Sequence, residues 1–205
     1  MKSLHGLYAI TDTGVSDDQQ LISATRQAIS GGARIVQYRN KTLAAEHRQR
    51  QAKLVLRECR TRDIPLIIND DVTLARGIDA DGVHLGRDDG DIEFARRQLG
   101  NNRIIGISCY NNAQLARAAV AAGADYIAFG AFFPSSTKPQ AVQATPELLK
   151  WAKRELDIPV VAIGGVTAKN GAALIDAGAD MLAVIQGIFG QTDIHAAAQR
   201  YARLF

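Results

Sequence analysis

Residues 66–75 read LIINDDVTLA. The apolar run Leu66-Ile67-Ile68 has the character of a strand buried in a sheet, and it stops abruptly on Asn69, Asp70 and Asp71. The residues that follow, VTLARG, read as a short helix whose first turn Asp71 is placed to cap. The stretch is therefore one strand, one polar turn and the start of one helix. If that unit recurs along the chain, the sheet is parallel and its strand ends carry the polar residues.

It does recur. Val/Ile-rich runs alternate with amphipathic stretches from end to end, with no linker, low-complexity tract or shift in composition between them. Eight runs read as strands: LYAIT (7–11), RIVQYR (34–39), PLIIN (65–69), GVHLG (82–86), IIGISC (104–109), YIAFG (126–130), VVAIGG (160–165) and MLAVIQ (181–186). Ser16-x-x-Gln19 reads as a capping box, Thr145-Pro146 as an N-cap followed by a first-turn proline, and Thr167 as another N-cap. Gly123 and Gly178, each within an Ala-Gly-Ala-Asp sequence, are placed as helix C-caps ahead of the sixth and eighth strands. Eight evenly spaced βα units in 205 residues fit a small closed barrel better than a doubly wound open sheet, which usually has fewer strands. The fold class is thus α/β, a (β/α)8 TIM barrel forming a single domain over residues 1–205.

Composition narrows the function. At 47% hydrophobic and 22% charged, the chain has the balance of an ordinary domain with a substantial core. No apolar run approaches the roughly 20 residues that span a bilayer, and MKSLHGLYAITD lacks a charged-then-apolar leader with a cleavage site, so a cytoplasmic location is expected and a membrane partner is not. Cys59 and Cys109 have no metal-type spacing and read as reduced, unpaired thiols. The net charge of +3 is spread among 21 acidic residues rather than massed on a stripe, which argues against nucleic acid and suits small anionic ligands. A homo-oligomer is compatible with all of this.

Active sites of such barrels lie at the C-terminal strand ends. In RIVQYRNK, Ile35, Gln37 and Arg39 share one face of the strand and Val36 and Tyr38 the other, with Lys41 just beyond. If the first face is the interior, a glutamine, a guanidinium and an ammonium meet at the mouth. Two cations there without partners would be costly. An internal salt bridge is one resolution and an anionic ligand, favoured by the position, is the other.

Two acidic clusters follow, Asp70-Asp71 and Asp88-Asp89. Asp71 as a helix cap and Asp88 as a solvated loop residue are at least as well accounted for structurally as functionally. Asp70 and Asp89 lie just past neighbouring strands about 4.8 Å apart, close enough to share one hard cation; Mg²⁺ fits, because it takes one or two carboxylates plus water and phosphate oxygens. The connection FGAFFPSSTKPQAVQATPE (129–147) is far longer than usual, and its Ser135, Ser136, Thr137 and Lys138 suit a phosphate-gripping lid, with a polar surface loop as the plain alternative. IGGVT (163–167) and VIQG (184–187) close the seventh and eighth strands, where barrels often hold phosphate on backbone N–H groups; Gly164 and Gly165 would leave such groups open or simply make a tight turn.

The motifs QYRNK, INDD, HLGRDD, GISC, PSSTK, AIGGVT and AVIQG stand in the order and positions of the thiamine phosphate synthase family, which the chain resembles over essentially its whole length. The resemblance implies a transferase that condenses 4-amino-2-methyl-5-hydroxymethylpyrimidine diphosphate with 4-methyl-5-(2-phosphoethyl)thiazole, giving thiamine phosphate and pyrophosphate. It implies Mg²⁺ on Asp70 and Asp89, and contacts from Arg39, Lys41, Asn69 and Lys138 to the diphosphate or its leaving group. It further implies Gln37 beside the pyrimidine, Ser108 beside the departing pyrophosphate, Ser135 and Thr137 beside phosphate groups, and backbone N–H groups of Gly165, Ile185 and Gln186 on the thiazole phosphate. Three positions depart from the family pattern: Arg87 where Gln is common, Tyr110 where His is frequent, and Gln186 where many members have Ser. A sibling thiazole tautomerase resembles the synthase in fold but lacks the INDD cluster and relies on a histidine at the place of Tyr110. A noncatalytic regulator that binds phosphorylated metabolites is the reading from another class.

Overall fold

The computed structural model describes residues 4–11, 17–86, 90–134 and 142–205. Its first half runs β1 (Gly6–Ile10), α1 (Asp18–Ser30), β2 (Ala33–Tyr38), α2 (Ala45–Arg60), β3 (Leu66–Asn69), α3 (Val72–Ile78), β4 (Gly82–Leu85) and α4 (Ile92–Leu99). The second half runs β5 (Ile104–Tyr110), α5 (Ala113–Ala121), β6 (Tyr126–Phe129), α6 (Pro146–Glu155), β7 (Val160–Ile163), α7 (Gly171–Asp176), β8 (Met181–Val184), α8 (Gln186–Phe189) and α9 (Ile194–Ala202). The strands pair in chain order and close, β8 lying parallel to β1, into the expected barrel.

Two apolar layers follow from the period-two alternation of each strand. Inside the barrel are Tyr8, Ile10, Ile35, Ile67, Tyr126, Ala128, Val161, Met181 and Ala183. The opposite faces, including Val36, Tyr38, Leu66, Ile68, Val83 and Leu85, pack against the helices in a larger continuous core. The inward parity of Ile35 carries Gln37 into the barrel, where it is 3% exposed, and that of Ile67 carries Asn69 to the mouth.

Helix ends are set by local chemistry. Asp71 caps α3, its carboxylate accepting from the Leu74 N–H at 2.8 Å. Gly123 and Gly178 take left-handed φ values of 88° and 114° just past α5 and α7. Behind them Ala124 N–H donates to Ala119 O and Ala179 N–H to Leu174 O, both at 3.0 Å, which closes the two helices in the Schellman manner. Two expected caps shift. Asp17, rather than Ser16, caps α1, accepting from Gln20 N–H at 2.8 Å; a carboxylate next to a hydroxyl is the better acceptor, and Ser16 lies outside the described residues. Thr167 starts a turn instead of the helix: Thr167 and Asn170 each accept from the other's backbone N–H, and α7 begins after Asn170.

Candidate active site

The C-terminal rim is assembled strand by strand. At β2, Gln37 Nε2 donates to the Tyr8 hydroxyl at 2.8 Å inside the barrel. Arg39, the next residue of that parity, has its backbone held by Thr11 of the β1 end. Its N–H donates to Thr11 Oγ1 at 2.9 Å, and the Thr11 hydroxyl returns a bond to Arg39 O at 3.3 Å. Asn40 then turns the chain, its buried side-chain oxygen accepting from the N–H groups of Thr42 at 3.1 Å and Leu43 at 3.0 Å. Lys41 is thereby carried across to the neighbouring strand, where its Nζ lies 2.9 Å from Asp70 Oδ2.

The abrupt end of LIIN has a backbone cause. Asp70 takes φ 65°, a left-handed conformation that Asp and Asn accept more readily than other side-chain-bearing residues. Its N–H still donates across the barrel wall to His84 O at 2.8 Å, and Asp71 N–H folds back onto Asn69 O at 2.8 Å. The turn separates three roles: Asn69 keeps the inward parity of the strand, Asp70 leaves it beside Lys41, and Asp71 is spent on capping α3. The Lys41–Asp70 pair is half open to solvent, with side-chain exposures of 54% and 25%, so it contributes on the order of 0–1 kcal/mol and exchanges readily for a ligand.

At β5 the register with β6 slips between Ser108 and Tyr110, and Tyr110 adopts φ 55°. Cys109, the extra residue, is buried with the helix-side core, and its removal from water pushes the thiol up to about 12. Cys59 is likewise a buried free thiol raised by desolvation. Ser108 accepts or donates at 2.9 Å to His84 Nε2 and lines a groove of about 470 Å³ with Gly86, Gly90, Ile107, Tyr110 and Leu115.

Beyond β7, Gly164 and Gly165 have φ 95° and 62°. A side chain at Gly165 would meet Pro134 O at 2.6 Å and Phe133 Cβ at 2.7 Å, while Gly164 and Ile163 carbonyls accept from Phe133 and Phe132. The glycine pair is thus required by the segment after β6 that packs on it, in addition to any ligand. Ile185 and Gln186 open the short helix α8 directly after β8; Gln186 is exposed, with its side-chain oxygen lying over Gly190. The long connection after β6 is pinned at its base, Ala131 N–H donating to Val142 O at 3.0 Å and Ala144 N–H to Ala131 O at 2.9 Å.

Gln37, Arg39, Lys41, Asn69, Asp70, Ser108, Gly165, Ile185 and Gln186 therefore all lie at the same end of the barrel, on β2, β3, β5, β7 and β8 or the turns that follow them. Asp89, Ser135, Thr137 and Lys138, with Arg87, Asp88 and Ser136, lie outside the described residues. Among the described residues no group of three or more His, Cys, Asp or Glu is arranged to hold a metal.

The description of the family model that matches residues 7–188 is thiamine monophosphate synthase. The chain belongs to that family. The thiamine-phosphate synthase of Methylobacillus flagellatus is 52% identical over 202 residues, covering 98% of this chain and 96% of the relative. That of Nitrosospira multiformis is 50% identical over 205 residues, covering 100% and 87%. Among solved structures, a thiamine phosphate pyrophosphorylase from Pyrococcus furiosus superimposes with a TM-score of 0.87 at 33% identity, covering 97% of this chain and 94% of that one.

For a member of the thiamine monophosphate synthase family, the departures now have positions: Tyr110 occupies the left-handed end of β5, and Gln186 is an exposed residue at the start of α8. The sequence reading gave no role to His84 and passed over Tyr8, Thr11 and Tyr126. His84 shares inward parity with Gly82 along GVHLG, and Tyr8 with Ile10 along LYAIT; that alternation was the available signal. What it could not reveal is that Tyr8, Tyr126 and His84 touch.

Proposed function

We propose that this chain joins the pyrimidine methylene of 4-amino-2-methyl-5-hydroxymethylpyrimidine diphosphate to the ring nitrogen of 4-methyl-5-(2-phosphoethyl)thiazole, releasing pyrophosphate and yielding thiamine phosphate. The observation that carries this is the meeting of β2 and β3 at one rim, where Lys41 reaches Asp70 beside Arg39 and Asn69, in a chain of this family. The pyrimidine sits by Gln37. Its methylene C–O bond breaks with the electron pair leaving on the diphosphate, the aminopyrimidine ring stabilises the methylene cation, and the thiazole nitrogen captures it. No protein nucleophile is required, in keeping with two buried thiols raised by desolvation.

The leaving group gains negative charge as the bond breaks, and fixed cations placed where that charge develops lower the barrier. Arg39, with its backbone pinned by Thr11, and Lys41, freed from Asp70, supply them; Asn69 and Ser108 add hydrogen-bond donors, and Lys138, Ser135 and Thr137 complete the grip from the long loop. Gly165, Ile185 and Gln186 hold the thiazole phosphate through backbone N–H groups. The donor set suits Mg²⁺: a carboxylate at a left-handed turn, paired among the described residues with a half-exposed lysine, is an oxygen ligand available to a hard ion, with Asp89 as the second. When bound there, Mg²⁺ would neutralise charge on the diphosphate. No helix among the described residues is long and apolar enough to cross a membrane, and two free cysteines suit the reducing cytoplasm, where we place the reaction.

The test is pyrophosphate release from purified protein given both substrates, with and without magnesium. Magnesium-dependent release supports the reading. Tight binding of both substrates with no release would replace it with a metabolite-binding regulator, and turnover of the thiazole alone with a tautomerase.

A further inference from the structure

One continuous chain of hydrogen bonds crosses the barrel interior between two residues of the proposed site. Gln37 Nε2 meets Tyr8 OH at 2.8 Å, Tyr8 OH meets Tyr126 OH at 2.8 Å, Tyr126 OH meets His84 Nδ1 at 3.0 Å, and His84 Nε2 meets Ser108 Oγ at 2.9 Å. The three intermediate residues belong to β1, β6 and β4. They are 1%, 0% and 8% exposed, and the aromatic rings of Tyr126 and His84 stack with 18° between planes. Burial raises both phenols well above their ordinary range, so each keeps its single hydrogen.

A chain of single-hydrogen groups has a direction. The Gln37 amide nitrogen donates to Tyr8, so the Tyr8 hydrogen goes to Tyr126 and the Tyr126 hydrogen goes to His84 Nδ1. Nδ1 is then the acceptor, and a neutral ring carries its proton on Nε2, donating to Ser108 Oγ. The Ser108 hydrogen is directed to an acceptor other than His84. In the opposite direction Ser108 would donate to His84, His84 Nδ1–H to Tyr126, and Tyr8 to the Gln37 carbonyl. An anion beside Ser108 can only accept, so it stabilises the first direction alone.

We propose that Tyr8, Tyr126 and His84 are positioning residues that hold Ser108 as a hydrogen-bond donor toward the departing diphosphate by fixing His84 in its Nε2–H tautomer. The same direction leaves the Gln37 carbonyl oxygen to accept from the pyrimidine. The role of Ser108 rests on the reading under Proposed function; the tautomer does not.

The experiment is a long-range ¹H–¹⁵N spectrum of histidine-labelled, substrate-free protein at about pH 8, above the ordinary imidazole range, with His84 assigned from the His84→Gln variant. The expected result is an Nε2–H ring with an acceptor-type Nδ1, becoming a mixture of tautomers in Tyr126→Phe. An Nδ1–H ring in the native protein overturns the proposal, as does a Tyr126→Phe spectrum identical to native. Adding inorganic pyrophosphate with magnesium shifts the His84 Nε2 proton in the native protein and not in Ser108→Ala, because a hydroxyl that donates becomes a better acceptor; equal shifts in both remove Ser108 from the account. In turnover, Tyr126→Phe lowers kcat roughly 2- to 10-fold at unchanged KM for the thiazole, the scale of one hydrogen bond. Should Tyr126→Phe fail to fold, the native tautomer decides alone. Absent turnover with the Nε2–H tautomer intact would count against the enzymatic reading and leave the tautomer assignment standing.

Discussion

The two rims of the barrel use the same side chain in opposite ways. At the N-terminal rim, Asp81, Asp125 and Asp180 each precede an even-numbered strand and exchange two hydrogen bonds with the start of the strand before. Leu66, Ile105 and Val160 N–H groups donate to the three carboxylates at 2.9, 2.8 and 2.9 Å, and the N–H groups of the aspartates donate back to the same residues' carbonyls. Arg96 at 2.7 Å and Lys153 at 2.8 Å pair with Asp125 and Asp180 as well. At the C-terminal rim, Asp70 is paired with a lysine that is more than half exposed. A carboxylate tied to backbone amides is committed to the fold, whereas one tied to a solvated ammonium remains available to a ligand.

Removing one carboxylate from each rim separates the two uses. Asp70→Asn, which keeps a side chain suited to the left-handed turn, is expected to lower pyrophosphate release on the order of 10²-fold or more, as loss of a group stabilising transition-state charge does, with the thermal midpoint nearly unchanged. Turnover equal to the parent would remove Asp70 from the chemistry. Asp125→Ala takes the carboxylate from Arg96, whose side chain is 22% exposed and keeps the carbonyls of Gly100, Arg103 and Gly123, and leaves the Ile105 N–H unpaired. A loss of about 2–4 kcal/mol is expected in denaturant titration, at unchanged kcat per folded molecule.

Gly106→Ala tests the layer between the rims and should have a smaller effect on each readout. Gly106 pairs with His84 on one side and Tyr126 on the other, and an added Cβ would overlap the Tyr126 ring. The absence of a side chain on β5 is what lets Tyr126 reach across to His84. Displacing Tyr126 is expected to cost about 1–3 kcal/mol of stability and, by breaking the chain to Ser108, to lower kcat as Tyr126→Phe does. Stability loss with kcat intact would make Gly106 a packing residue only.

Most of the architecture was legible because it rests on local repetition. Eight βα units are visible as runs and punctuation, and Asp71 and the Ala-Gly-Ala-Asp caps follow from chemistry within a few residues. Strand ends were less legible where an apolar run continues past the strand: VVAIGG stops at Ile163 because Gly164 turns to positive φ, and MLAVIQ stops at Val184 because Ile185 begins a helix. Neither event changes the hydrophobic period. At the site, alternation alone put Gln37 on one face with Ile35 and Arg39, and the closed barrel makes that face the interior. The Tyr8–Tyr126 contact joins residues 118 apart and depends on the register of strands on opposite sides of the barrel, which no single stretch encodes.

The outer layer offers the mildest test of the contrast between committed and available carboxylates. Glu58 of α2 pairs with Arg26 of α1 at 3.1 Å and with Arg62. The hydrogen bond from Arg26 is the main influence holding its carboxyl below the usual value of 4.5, burial opposing and the Arg62 charge assisting. A lowered folded-state value means the unfolded chain takes up the proton first. The stabilisation is complete above about pH 4.5 and is lost as the pH falls through the lowered value. The melting temperature of Glu58→Gln should therefore fall less steeply than the parent's below that pH, while both keep the same plateau slope near neutrality. Identical acid limbs would mean that the Glu58 carboxyl binds its proton equally well in the folded and unfolded chain, so that the Arg26 pair adds nothing to the pH response, aligning Glu58 with the available carboxylates instead of the committed ones.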